Sequence, residues 1–281
     1  MIKGKFALIM SGGGSMCAFS TGVLEALIEK HNLKQPDIVV GASGSVGVLS
    51  YFLSGQINIL RSIWFDIMTN SKSINFWRFW KIADVDYLID HITKITFPLD
   101  KDKIYNSKTR YFIGATDFES CELKFFEPKK DDEIFEYMRA SAAIPIAYGK
   151  TVTINNRNYF DTILSADPYF AILEAYKHGA RTFLVVDVGN TNKVSLWLHD
   201  LFIRFKSQKF MDNYRRSLAS LTNHVLPKDI SLFEIVPKKK LKVFLIDDDE
   251  LKIRDTFEQG YRETVYDKKL IEFLKLHKLT R

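Results

Sequence analysis

Asp37-Ile38-Val39-Val40-Gly41-Ala42-Ser43-Gly44-Ser45 carries the reading of the fold. After Asp37 the run is β-branched and free of charge, which is the pattern of a strand buried on both faces. It breaks at a glycine, and the sequence beyond Ser45 is compatible with a helix. A serine at a strand-to-helix turn matches a nucleophile elbow, in which strained backbone angles hold Oγ out of the turn. Gly41 and Gly44 would relieve the clashes of that turn, and the following helix N-terminus would favour negative charge beside Ser43. The pattern G-x-S-x-G is met except at its last place, where Ser45 stands. An ordinary Gly/Ser turn leaving a buried strand would look the same on this stretch alone.

Upstream, Phe6 to Met10 is a second short apolar run, and it leads into Ser11-Gly12-Gly13-Gly14-Ser15. Phe19, Val23, Ala26 and Leu27 then recur at helical spacing, predicting a helix over 16–31. Strand, glycine-rich loop, helix and strand make a parallel β-α-β unit. The N–H groups of Gly12, Gly13 and Gly14 would form an anion cradle, serving either an oxyanion or a phosphate. A P-loop is excluded because no Gly-Lys-Ser/Thr follows, and a dinucleotide fingerprint fits poorly because Cys17 stands at the third glycine. In an open parallel sheet, loops at the carboxyl ends of neighbouring strands meet in one crevice. A serine from one loop and an oxyanion cradle from the next are the parts of acyl transfer.

Downstream, residues 56–105 read as a mostly helical insertion with the aromatics Trp64, Phe65, Phe76, Trp77, Phe79 and Trp80. With Arg61, Arg78 and Lys81 these suit a lipid interface or an acyl-pocket cover; a helical core would use the same residues. Strands are predicted over 111–115, 182–188 and 231–236, and helices over 131–143, 166–178, 195–225 and beyond Asp249. A hairpin turns at Asn155-Asn156-Arg157. The expectation is an α/β fold: one domain over 1–281 with a mostly parallel central sheet flanked by helices in three layers. The helical insertion and a C-terminal extension over about 190–281 elaborate it.

The chain has 281 residues, 46% hydrophobic and 26% charged, which excludes a disordered chain. Its net charge of +6 comes from 40 basic and 34 acidic residues. That mild excess suits a phospholipid surface, while interleaved acids argue against nucleic acid. Two cysteines make no disulfide framework. Cys17 reads as a packing residue within the glycine segment. The N-terminus lacks a cleavage pattern, and the charge-free stretch from Ile38 to Leu60 is too rich in Gly and Ser for a membrane span. A cytoplasmic location, with peripheral membrane contact at most, is expected. The basic, apolar tail Lys268 to Arg281 reads as a docked surface helix.

None of the six histidines, His31, His91, His178, His199, His224 and His277, stands at the end of a predicted strand. Asp117, Asp161 and Asp187 do, so the base for Ser43 is sought among carboxylates.

At this point the chain resembles the patatin-like phospholipases over roughly residues 5–190. Ser11 to Gly14 with Gly22-Val23-Leu24 is similar to that family's oxyanion segment and helix, and Gly41 to Ser45 to its elbow. Gly114-Ala115-Thr116-Asp117 resembles a strand ending in a structural aspartate. Ala140-Ser141-Ala142-Ala143-Ile144-Pro145 resembles the segment before the catalytic strand, and Tyr159-Phe160-Asp161 stands at the Asp-Gly motif. The resemblance implies a Ser43–Asp161 dyad without histidine, an oxyanion hole at Gly12, Gly13 and Gly14, and an elbow supported by Gly41 and Gly44. It also implies hydrolysis of an acyl lipid or phospholipid, with no metal and no cofactor. A catalytically weak acyl-binding relative is the alternative. Three places depart from the pattern: Met16 and Cys17 replace a cation and a glycine, Ser45 closes the elbow, and Thr162 follows the aspartate. The oligomeric state and the head group are left open.

Overall fold

The structure, a computed structural model, describes residues 4–70, 72–77, 82–131, 133–189, 207–221 and 225–281. Its centre is an eight-stranded sheet. The parallel part holds β1 (Lys5–Met10), β2 (Ile38–Ala42), β3 (Arg110–Asp117), β7 (Ala180–Val186) and β8 (Ser231–Ile235). These run in the order β3-β2-β1-β7-β8. Beyond β3 the sheet turns antiparallel through β4 (Leu123–Phe126) and the hairpin β5 (Val152–Ile154) and β6 (Arg157–Phe160). Asn155 and Asn156 make the hairpin turn at φ 48° and 61°, a conformation that Asn tolerates.

β1 and β2 are buried on both faces, which explains their unbroken apolar runs. Successive residues divide between two cores. Leu8, Met10, Val39, Leu184 and Val186 face the core that includes α1 (Cys17–Glu29) and α2 (Ser45–Leu53). Ala7, Ile9, Ile38, Val40 and Val185 face the helix Tyr169–Lys177. Helix, sheet and helix are the three layers expected from the sequence.

The C-terminal region packs into the same body. The helix Glu250–Val265 lies so close along α1 that a Cβ on Gly22 would fall on the Phe257 carbonyl, and one on Gly260 on that of Phe19. The last helix, Lys268–Leu276, docks through Leu270 and Leu274. In the insertion, read as mostly helical, the helical segments are short. Ile59–Ser62 runs into a π-helical turn Ile63–Ile67, and Tyr87–Thr96 is also π-helical. Between them the described residues form turns and an antiparallel Ile74–Ala83 bridge, and Val85 and Asp86 are already helical. The helix predicted over 195–225 is seen as Gln208–Ser220; 195–206 and 222–224 lie outside the described residues, as do Arg78, Phe79, Trp80 and Lys81.

Candidate active site

β1 and β2 are parallel neighbours, so the loops after Met10 and Ala42 leave the sheet side by side. Ser43 sits on the second loop at φ +55°. A non-glycine residue there is strained and needs surrounding structure to hold it. The hold is visible. The Ser43 N–H donates to Ser141 Oγ at 2.8 Å, and Ser141 Oγ donates to the Gly114 carbonyl at 2.5 Å. Ser45 Oγ accepts the Ala42 N–H at 3.1 Å and stands 3.0 Å from the Met10 carbonyl. The serine in the elbow's last place thus closes the turn and ties β2 to β1.

The glycine segment and the elbow pack without room for side chains. A Cβ on Gly12 would stand 2.8 Å from Ser43 Cβ, and one on Gly44 2.8 Å from the Gly14 carbonyl. The Gly12 N–H donates to the Ser165 carbonyl at 2.8 Å. This corrects the expectation that all three glycines offer free amides. Among the described residues no acceptor meets the N–H of Gly13 or Gly14. Gly14 then opens a 3₁₀ turn that leads into α1.

Of the three candidate carboxylates, Asp161 is the one brought to Ser43. It follows β6, and its N–H donates to the Ala143 carbonyl at 2.9 Å. Its side chain is buried with that of Ser43. Burial pushes its pKa up to about 7, against hydrogen bonds from Ser165, Ser43 and the Thr162 N–H that favour the charged form. Ser165 Oγ donates to Asp161 Oδ1 at 2.6 Å. Ser165 therefore joins the aspartate loop to Gly12, a role that its position four residues past Asp161 hinted at only weakly.

The other carboxylates hold loops. Asp187 Oδ1 accepts from Ser11 Oγ at 2.8 Å and the Gly189 N–H at 3.0 Å. Asp117 Oδ1 accepts the N–H groups of Glu119 and Ser120 at 3.0 and 2.8 Å. The histidines that make hydrogen bonds do so elsewhere: His31 with the Thr264 carbonyl, His178 with Glu174 and His277 with Ser231. His199 and His224 lie outside the described residues.

The departures at 17 and 162 find physical reasons. Thr162 has φ −138°, an extended angle that needs no glycine, and its Oγ1 meets Thr116 Oγ1 at 2.9 Å. Cys17 is wholly buried, and its thiol is pushed strongly up by burial and then by Asp161. A thiol held neutral in this way is inert. Cys121 is also buried and unpaired.

Ser43 opens onto an apolar cavity of about 160 Å³. Val48, Leu60, Trp64, Ile74, Ile89 and Met138 help to line it, with Leu245 and Ile246 from the C-terminal region. The insertion therefore supplies much of the wall. Its aromatics divide: Trp64 and Phe65 are core, with Trp64 Nε1 donating to Thr21 Oγ1 at 2.7 Å, whereas Phe76 and Trp77 are 51% and 84% exposed.

The profile of the patatin-like phospholipase family matches residues 8–172. The chain belongs to the patatin-like phospholipase family. YjjU, an uncharacterized protein of Escherichia coli strain K12, is 26% identical over 251 residues, covering 86% of this chain and 68% of YjjU. The crystal structure of VipD from Legionella pneumophila shares the fold, with a TM-score of 0.52 at 12% identity. That likeness covers 95% of this chain and 67% of VipD, so in this patatin-like protein the C-terminal helices belong to the shared architecture. Among the described residues no helix is long and apolar enough to cross a membrane.

Proposed function

We propose that this patatin-like protein hydrolyses acyl esters of lipids with Ser43 as nucleophile and Asp161 as the base. The observation that carries the reading is a strained serine at the wall of an apolar cavity, hydrogen-bonded to a buried carboxyl. Ser43 Oγ attacks the ester carbonyl carbon as its proton passes to Asp161. The tetrahedral oxyanion is held by the N–H groups of Gly13 and Gly14, with Gly12 as the spacer that lets Ser43 approach. Collapse breaks the bond to the alcohol, which leaves with the proton from Asp161. Water, deprotonated by Asp161, then frees the acid and restores Ser43. A carboxyl with a pKa of about 7 suits both halves, because it accepts and returns a proton near neutral pH.

The cavity takes the acyl chain, consistent with its apolar lining. Peripheral contact with a lipid surface through Phe76 and Trp77 belongs to the same reading, because Ile74 just before them lines the cavity. Two unpaired cysteines accord with a reducing, cytoplasmic setting. One domain spans the whole chain in this reading.

The test is a screen of p-nitrophenyl esters combined with a fluorophosphonate probe. Ser43→Ala is expected to lower kcat/KM by roughly 10³-fold or more and to abolish labelling. Wild-type protein that neither labels nor turns over any ester would instead mark an acyl-binding relative without catalysis.

A further inference from the structure

Ser165 stands four residues after Asp161, and the chain between them folds back on itself. Thr162 is extended, and the 3₁₀ turn Ile163–Ala166 follows it. The Ser165 N–H donates to the Thr162 carbonyl at 3.1 Å, the closure expected of such a turn. That closure brings the buried Ser165 side chain back to Asp161. Its Oγ lies 2.6 Å from Asp161 Oδ1 and 2.7 Å from the Thr162 carbonyl oxygen.

A hydroxyl has one hydrogen to donate. Both acceptors are within reach, and only one is served at a time. Charge decides which. A carboxylate draws a donor more strongly than a neutral carbonyl does, so charged Asp161 takes the bond. Protonated Asp161 loses that advantage. The Thr162 carbonyl has a second lone pair beyond the one that meets the Ser165 N–H, and it then takes the hydroxyl. A buried donor is costly when unpaired, and this one has an acceptor in both charge states of Asp161. The other groups around the carboxyl are uncharged. Ser43 and the Thr162 N–H are neutral donors. Cys17 on α1 lies close enough for Asp161 to push its thiol further up, and burial holds that thiol neutral. Among the described residues no ion pair reaches Asp161.

We infer that Ser165 is a positioning residue: its hydroxyl holds Asp161 Oδ1 while the carboxyl is charged, and turns to the Thr162 carbonyl while the carboxyl carries the Ser43 proton. The inference rests on the acyl-ester hydrolase reading for the reaction in which that proton moves. No proton leaves Ser165. The Ser43 O–H bond breaks, an O–H bond forms on Asp161, and only the direction of the Ser165 hydroxyl changes. When Asp161 gives the proton to the departing alcohol, the hydroxyl swings back. The Ser165 carbonyl meanwhile keeps the Gly12 N–H at 2.8 Å. One residue thus ties the base to the spacer of the glycine loop. The tie to Gly12 is main chain, so Ser165→Ala removes the hydroxyl and leaves that contact in place.

The experiment is a pH profile of kcat/KM on a neutral short-chain ester, p-nitrophenyl butyrate. Wild type should inflect near pH 7. Ser165→Ala is expected to move the inflection up by about one pH unit, because the charged carboxyl loses a donor. It should also lower kcat on the high-pH plateau by roughly tenfold through lost orientation, with KM nearly unchanged. Ser165→Thr keeps the hydroxyl and should bring the inflection back. Ser165→Cys keeps the size but is a weak donor, and should not. Lost activity with an unmoved inflection would be a merely structural effect and overturns the assignment, as does a Ser165→Thr profile that matches Ser165→Ala. The carbon-13 resonance of the Asp161 carboxyl, assigned by its loss in Asp161→Asn, titrates without turnover. If no variant hydrolyses any ester and that titration still moves up by about one pH unit in Ser165→Ala, the hold of Ser165 on Asp161 stands and the hydrolase reading falls. A midpoint shared by wild type and Ser165→Ala overturns the inference whatever the activity.

Discussion

In the proposed reaction the surroundings of Asp161 bear on both activity and stability. An aspartate left in water is a poor base at neutral pH because its pKa lies near 3.9. Here burial raises it to about 7. Activity is therefore expected to rise with pH through about 7 and then level off, which a kcat/KM profile on a neutral ester would reveal. The same shift costs stability. A carboxyl whose folded pKa is raised is bound most favourably when protonated, so its penalty is absent below about pH 4. The penalty grows as pH climbs toward 7 and is complete above it. Asp161→Asn should lose activity yet melt several degrees above wild type at pH 8, an advantage that vanishes near pH 4. Equal melting temperatures at pH 8 would mean that the carboxyl is not held in an unfavourable charge state. In the sequence Asp161 stands among three strand-end carboxylates and is singled out by its motif, whereas Ser165 goes unmarked and Ser141 stands in a matched segment with no role attached. They act through tertiary hydrogen bonds to Asp161 and the Ser43 amide, and nothing in their own neighbours announces that.

Among the elements, the strands and the principal helices follow their apolar patterns because both sheet faces are covered. β4 escaped prediction because its residues are all half-buried and show no clean alternation. The insertion was harder still, since core and surface aromatics share one composition. Packing separates them: Trp64 finds a hydrogen-bond partner in Thr21, while Trp77 stands 84% exposed in a turn held by the Asn75 side chain. An exposed indole on a mildly basic protein has most to gain at a lipid–water interface. Trp77→Ser is expected to weaken co-sedimentation with anionic vesicles by about tenfold, roughly 1.4 kcal/mol, and to leave the melting temperature unchanged. A variant that sediments like wild type would assign vesicle contact to another surface.

At the scale of the whole molecule, the site is a meeting place of distant segments. The glycine loop, the elbow, the aspartate loop, the insertion and the C-terminal region each contribute, and the cavity between them was not readable from any one. Gly47 offers a way to probe that cavity. It lies on α2 among the cavity-lining residues, and a Cβ there would meet nothing within 4 Å. Gly47→Leu should not harm folding, because leucine is favoured over glycine in a helix by about 0.5–1 kcal/mol. Its side chain would instead occupy the cavity that the proposed function assigns to the acyl chain. Each methylene displaced from an apolar wall forfeits about 0.8 kcal/mol, close to fourfold in affinity. Hydrolysis of p-nitrophenyl dodecanoate should therefore fall by about tenfold or more in kcat/KM relative to the acetate, with acetate hydrolysis nearly unchanged. A uniform loss across the ester series would point to a disturbed elbow rather than a shortened pocket, and an unaltered series would place the acyl chain outside this cavity.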